Sequence, residues 1–126
     1  MQMQGWAEFD RAVEVGRQRA GASWIATSSY ATTGQLAFRE PPQVPVLQLT
    51  ERLRYVHLPP ADPALLQTPA LYVELRRREE PALLRRRFRS VTALGTLARN
   101  SGGEPIATYV LYLVADPIRP VLDRAD

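Results

Sequence analysis

The sequence predicts a small three-layer α/β domain: a mainly parallel sheet flanked by helices and finished by an antiparallel C-terminal hairpin. Three observations predict it. Short apolar runs alternate with helix-period stretches over the first ninety residues, the pattern of strands joined by helical crossovers. Two strand-like runs, 91–98 and 106–115, then flank Asn100-Ser101-Gly102-Gly103-Glu104-Pro105, a strong turn signal. Finally, 126 residues with 45% hydrophobic and 23% charged side chains support one core and a single domain, residues 1–126.

Trp6, Phe9, Val13 and Ala20 recur near helical spacing with charged residues between them, so residues 4–20 read as an amphipathic helix stopped by Gly21. Trp24-Ile25-Ala26-Thr27 is apolar and partly β-branched, a buried strand. Ser28 and Ser29 are good N-caps for a second helix over 30–39, with Tyr30, Gly34, Ala37 and Phe38 on one side; Thr32 and Thr33 weaken it. Pro41-Pro42 ends that helix, and Val44 to Leu49 reads as a strand. Residues 50–69 hold four prolines and read as a long loop with one helical turn near Ala64-Leu65-Leu66. Leu71, Val73 and Leu75 alternate with Tyr72 and Glu74, a strand with one well-buried face. Glu80-Pro81 opens a short helix with Leu84 and Phe88 on one side. Tyr109 and Tyr112 fall on opposite faces of the last strand, and the tail from Pro117 reads as loosely ordered.

Composition excludes several chemistries. With no cysteine there are no disulfides, thiolate zinc sites or cysteine nucleophiles. All 16 positive charges are arginine, so lysine Schiff bases and lysine-type phosphate loops are excluded. The one histidine, His57, sits in the proline-rich loop with no nearby carboxylate to orient it, and reads as merely polar. The longest apolar run, Tyr109 to Ala115, has seven residues, far short of the roughly 20 a membrane span needs. The amino end has neither the charge nor the apolar stretch of a signal peptide. The chain therefore reads as a soluble domain with no cofactor and no metal site.

Two features carry candidate chemistry. The turn from Thr27 through Ser28 and Ser29 into the second helix presents free amides, hydroxyls and the positive end of a helix dipole to an anion. Simple capping by the serines is the heavier reading, since no G-x-G-x-x-G motif accompanies the turn. Arg76-Arg77-Arg78 and Arg85-Arg86-Arg87, with Arg89, form the one charge cluster, suited to phosphates of lipid, polyprenyl phosphate or nucleic acid. Glu74, Glu79 and Glu80 offset its field and no aromatic residues interleave with it, so a solvated face outweighs a binding site for any of these phosphates. No paired carboxylates stand at a spacing that argues hydrolysis, and the chain reads as non-catalytic.

The stretch GWAEFDRAVEVGRQRAGASWIATSSYATTGQLAFRE resembles the opening of the extracytoplasmic C-terminal region in one family of large membrane proteins. These are the bacterial relatives of the dolichyl-phosphate-mannose protein mannosyltransferases and of the aminoarabinose transferase acting on lipid A. Gly5-Trp6, Tyr30 and Leu36-Ala37-Phe38 match the family's helix opening, strand-end tyrosine and helix ending. Val44 to Leu49, Arg52, Arg54-Tyr55 and Pro59-Pro60 look like its strand, Arg-rich turn and prolines. The closing EPALLRRRFRSVTALGTLARNSGGEPIATYVLYLV resembles its usual ending, a Gly-containing hairpin with Tyr-x-Leu-Tyr. The chain departs from the pattern where the family often carries Asn-Gln before the turn tyrosine and an aromatic after it: Leu53-Arg54 and Leu58 stand there.

The resemblance implies an accessory domain of a polyprenyl-phosphate-sugar-dependent glycosyltransferase, on the periplasmic side of the inner membrane. Its partner would be the transmembrane part of the parent chain, with anionic lipid or polyprenyl phosphate beside it. No catalytic residue carries over, because the family's acidic catalytic residues lie in the membrane part. The competing expectation is a free-standing cytoplasmic module that binds a nucleotide, nucleic acid or other anion through Ser28, Ser29 and the arginines Arg76, Arg77, Arg85 and Arg86. A small independent enzyme ranks third.

Overall fold

The computed structural model describes residues 5–41, 43–49 and 63–118, with only the backbone of Tyr30. Helix α1 (Trp6–Ala20) forms because Trp6, Phe9 and Val13 line one face and are all buried. Glu8 in its first turn and Arg17 and Arg19 in its last complement the helix dipole. Gly21, at φ +72°, ends it. Its N–H reaches the Gln18 carbonyl and that of Ala22 reaches Arg17, the Schellman pattern.

Strand β1 (Trp24–Thr27) follows, then α2 (Tyr30–Arg39), β2 (Val46–Gln48), the single turn α3 (Pro63–Leu66) and β3 (Ala70–Leu75). A 3-10 turn (Arg76–Arg78), α4 (Pro81–Arg87), β4 (Phe88–Ser101) and β5 (Glu104–Pro117) complete the order. The predicted order of α-helices and strands is the observed one, but the 3-10 turn is not predicted, and Phe88 opens β4 instead of lying on α4 beside Leu84. Residues 50–62, with Arg54, Tyr55 and His57, and the tail from residue 119 lie outside the described residues.

The five strands form one sheet in the order β2-β1-β3-β5-β4. β1 pairs in parallel with β2 and with β3; β5 pairs antiparallel with β3 and with β4. The sheet is therefore mixed and not mainly parallel, a correction to the sequence expectation. Each parallel pairing needs a crossover, whereas the hairpin needs only Gly102-Gly103, both at positive φ (+59° and +83°). Its two 14-residue strands thus supply the longest ladder, and β5 carries it onto the centre of the sheet.

Both faces of the sheet are covered. α1 and α2 put Trp6, Phe9, Val13 and Leu36 against Ile25, Leu71, Val73 and Tyr109. α3 and α4 put Leu65, Leu66, Leu83 and Leu84 against Trp24, Tyr72, Val110 and Val114, with Tyr112 packed beside them. Tyr109 and Tyr112 do face opposite layers. β3, in the middle, is buried on both sides along five of its six residues, so it does not show the single buried face its alternation predicts. The β4–β5 ladder slips by one residue between Ala93 and Gly95, where Gly95 adopts φ +121°.

The start of α1 is pinned to the hairpin tip. The Trp6 ring lies under two guanidinium groups, Arg99 at 4.1 Å and Arg39 at 4.7 Å from its centroid. Gly5 sits at φ +79°, and a Cβ there would overlap the Asn100 carbonyl oxygen. Gly5→Ala is therefore expected to cost about 2–3 kcal/mol, through positive-φ strain and backbone overlap together. Thermal unfolding followed by circular dichroism should show a midpoint lower by roughly 10 °C; an unchanged midpoint would show that α1 leaves the hairpin at no cost.

Candidate functional site: the strand–helix switch

The chain leaves β1 through α2 toward β2 on one side, then returns across the sheet to reach β3 on the other. The two connections cover opposite faces, since α2 packs with α1 and α3 packs with α4. A fold of this kind opens a crevice between the C-terminal ends of β1 and β3, the usual place for a ligand in an open α/β sheet. Ser28, Ser29 and the start of α2 stand at that crevice, as the sequence places them.

The crevice is filled by the protein's own carboxylate. Glu74, from β3, is fully buried and accepts five hydrogen bonds. Oε1 takes the Ser28 N–H at 2.8 Å and the Ser28 hydroxyl at 3.3 Å. Oε2 takes the Ser29 hydroxyl at 2.9 Å, the Thr32 hydroxyl at 2.6 Å and the Leu75 N–H at 3.0 Å. Each oxygen thus holds one fixed backbone donor and at least one hydroxyl. Placing an anion at a helix N-terminus is favourable for the same reason a phosphate would be favourable there. Ser29 is also the N-cap of α2, its Oγ 3.4 Å from the Thr32 N–H. Capping and anion binding, alternatives in the sequence, are both present, with Glu74 as the anion.

A hydrogen-bond chain extends the cluster. Tyr72 Oη lies 2.5 Å from Ser28 Oγ and accepts the Glu80 N–H at 3.2 Å. Burial raises the Tyr72 pKa far above its usual value, so the phenol stays neutral. The Tyr72 and Ser28 hydroxyls share one proton between them, and Ser28 Oγ also lies within reach of Glu74 and of the Arg78 carbonyl at 3.4 Å. Beside it, Thr33 donates to the Ser29 carbonyl at 2.6 Å and meets Thr27 Oγ1 at 2.5 Å. Further out, the Tyr112 hydroxyl donates to Glu79 at 2.8 Å, which raises the tyrosine's pKa. Ser28, Ser29, Thr32 and Tyr72 are thus joined with Glu74 in one buried hydrogen-bond network.

The other predicted site residues are parted. Arg76, Arg77 and Arg78 follow the end of β3, at the level of Tyr109 opposite Leu75. Arg85 and Arg86 lie in the last turn of α4, beside Phe88, which pairs with Pro117. Those levels are eight residues apart on β5, roughly 26 Å. The two rows that read as one cluster belong to separate elements, Arg76–Arg78 to the 3-10 turn after β3 and Arg85 and Arg86 to the last turn of α4, where Arg87 reaches the Leu49 carbonyl at 3.1 Å. Of the family-motif positions, Trp6 is buried, Tyr30 opens α2 and Phe38 is 84% exposed in its last turn.

A second polar cluster, missed in the sequence, joins α1 to the end of α2. Glu40, the C-cap residue of α2, is only 7% exposed, and its Oε1 has no hydrogen-bond partner; neither has Oδ1 of Asp10. Glu14 is bound by the Arg17 guanidinium, and Asp10 stands 3.7 Å from Arg39. Burial and the neighbouring Glu14 push the Glu40 pKa up to about 8. Burial also raises that of Asp10, against the pull of Arg39, whereas Arg17 lowers that of Glu14. Glu40 therefore enters the fold as the neutral acid. Among the described residues no group of three or more histidine or acidic side chains is arranged to hold a metal ion, and no helix is long and apolar enough to cross a membrane.

No family model, curated protein or solved structure matches the chain.

Proposed function

We propose that the chain is an accessory, extracytoplasmic domain of a membrane glycosyltransferase that draws its sugar from a polyprenyl phosphate, and that it caps or orients the transfer site from outside the inner membrane. The observation that carries this reading is the occupied crevice. At the strand–helix switch the amide and hydroxyls of Ser28 and Ser29 are turned to Glu74, so the competing anion-binding module loses its principal contact. What remains is a braced scaffold, suited to positioning other groups.

The resemblance supports the same reading. Its matched positions fall at structurally distinct places: Gly5-Trp6 at the start of α1, Tyr30 and Leu36-Ala37-Phe38 at the two ends of α2, and Tyr109 to Tyr112 in β5. Phe38 is a large apolar side chain left to solvent at one of them, which suits contact with another part of a larger protein. In this role Arg85 and Arg86 face lipid phosphates, and nucleic acid is not a partner.

Sequencing the source locus upstream of codon 1 tests the proposal. Hydrophobic segments in frame before Gly5, with acidic residues in the first outer loop, are the expected result. An in-frame stop codon directly upstream of Met1 would overturn it.

A further inference from the structure

Helix α1 has two working sides. Trp6, Phe9 and Val13 are buried toward the sheet, whereas Glu8, Arg11, Ala12, Val15, Gly16 and Arg19 line one open groove along the outer side. Successive steps of three and one keep these six residues on a single stripe of the helix. Ala12, Val15 and Gly16 make its apolar floor, with Val15 41% exposed. Glu8, Arg11 and Arg19 stand exposed around that floor.

Two features of the stripe have no purpose within one molecule. Gly16 stands in the interior of a 15-residue helix, its φ is not positive, and a Cβ placed there meets nothing within 4 Å. Glycine at an exposed helix interior weakens the helix about fivefold relative to alanine. A second backbone lying against the stripe would call for it, since glycine permits close approach. The charges are the other feature. Glu14 is matched by Arg17 and Asp10 by Arg39, but Glu8 and Arg19 form no ion pair among the described residues. They stand in the first and last turns, roughly 16 Å apart along the axis. The helix dipole accounts for the sign of each charge, not for the glycine between them.

We propose that this stripe is the contact face of a homodimer, with α1 of a second copy lying antiparallel across it about a two-fold axis. The charges are self-complementary in that arrangement. Glu8 faces Arg19 of the partner subunit, Arg11 faces the partner's Gly16, and Ala12 faces the partner's Val15, each pair occurring twice. Small side chains at the centre let the helices approach, and opposite charges close both ends. A parallel copy would set glutamate against glutamate and arginine against arginine, so the charges also select the direction. One helix pair is a small interface, which suits a weak and reversible dimer. The pairing goes beyond the accessory-domain proposal and does not rest on it.

The test is sedimentation equilibrium of the 126-residue protein from about 1 to 500 μM, where monomer should give way to dimer. Glu8→Arg and Arg19→Glu should each weaken the dimer about tenfold, because each sets like charges together at both ends. Mixed in equal amounts, these two variants should associate within about twofold of the parent, and Glu8→Arg/Arg19→Glu should do the same alone. Gly16→Leu wedges a side chain between the helices and should weaken the dimer more than about tenfold. Its Cβ meets nothing in its own molecule, so circular dichroism should show the variant folded. Should a reversal unfold the domain, Glu8→Gln and Arg19→Gln give the same readout with losses of about threefold. A monomer at every concentration, a dimer that Gly16→Leu leaves intact, or reversal losses that mixing does not recover overturns the proposal. None of these outcomes depends on the upstream locus, so the dimer and the glycosyltransferase reading fail separately.

Discussion

Glu74→Gln is expected to lower the free energy of unfolding by about 3–5 kcal/mol, a large share of the stability of a domain of this size. The isosteric change leaves the volume alone and alters only hydrogen bonding. Hydroxyls of Ser28, Ser29 and Thr32 can rotate to suit an amide, but backbone N–H groups cannot. Ser28 N–H points at one oxygen and Leu75 N–H at the other, so whichever becomes NH2 faces a fixed donor. A buried donor–donor contact costs the desolvation of both groups, and the favourable charge at the α2 N-terminus is lost as well. Urea unfolding at neutral pH measures the difference. Thr32→Val, which removes one of the five bonds, should cost about 1–1.5 kcal/mol. A Glu74→Gln protein as stable as Thr32→Val would show that the carboxylate does not hold the switch together.

Glu40 gives the second large effect, with the opposite sign. Its pKa rises from 4.5 to about 8 on folding, so the folded protein keeps a proton that the unfolded chain gives up earlier. The stability tied to that proton is complete below pH 4.5 and drains away as the pH rises toward 8. Asp10, also raised, acts in the same direction, whereas Glu14 is lowered and matters only under more acidic conditions. The loss across the window should be about 2–4 kcal/mol. Glu40→Gln keeps the shape and the neutral state, and its amide can donate to Glu14. It should therefore flatten the pH profile between 4.5 and 8 and leave the variant more stable than the parent at pH 8. Denaturant midpoints at four or five pH values across that range decide it. A profile of unchanged slope would place the proton elsewhere.

Most of the fold is legible in the sequence because most of it is locally encoded. The α1 stop at Gly21, the four-residue β1, proline at the start of α4 and the Gly-Gly turn each follow from residues within one turn of themselves. What local pattern does not carry is which strands become neighbours. The hairpin is plain at 91–115, but nothing in it says that β5 pairs with β3, and that pairing makes the sheet mixed.

The same limit governs the site. Ser28 and Ser29 announce a helix start 46 residues before the carboxylate that occupies it, and Glu74 reads as an exposed position until β3 is placed mid-sheet. The threonines misled for a related reason. Helix propensity counts Thr32 and Thr33 against α2, yet both are buried and hydrogen-bonded, one to Glu74 and one to Ser29, and with Leu36 they form the inward face. Phe38, which helical spacing groups with Tyr30, Gly34 and Ala37, points to solvent. Glu40 gives no local sign of neutrality, since its environment comes from α1, more than twenty residues upstream.

The slipped ladder in β4 has a consequence for the protein in concentrated solution. Residues 90–98 are uncharged and lie at the free edge of the sheet, a composition that invites one molecule's strand to extend another's. The extra residue at Leu94 and the bent backbone at Gly95 break that edge into two short segments of different phase. A second copy matching its hydrogen bonds to one segment falls out of step with the other, which discourages self-templated fibres.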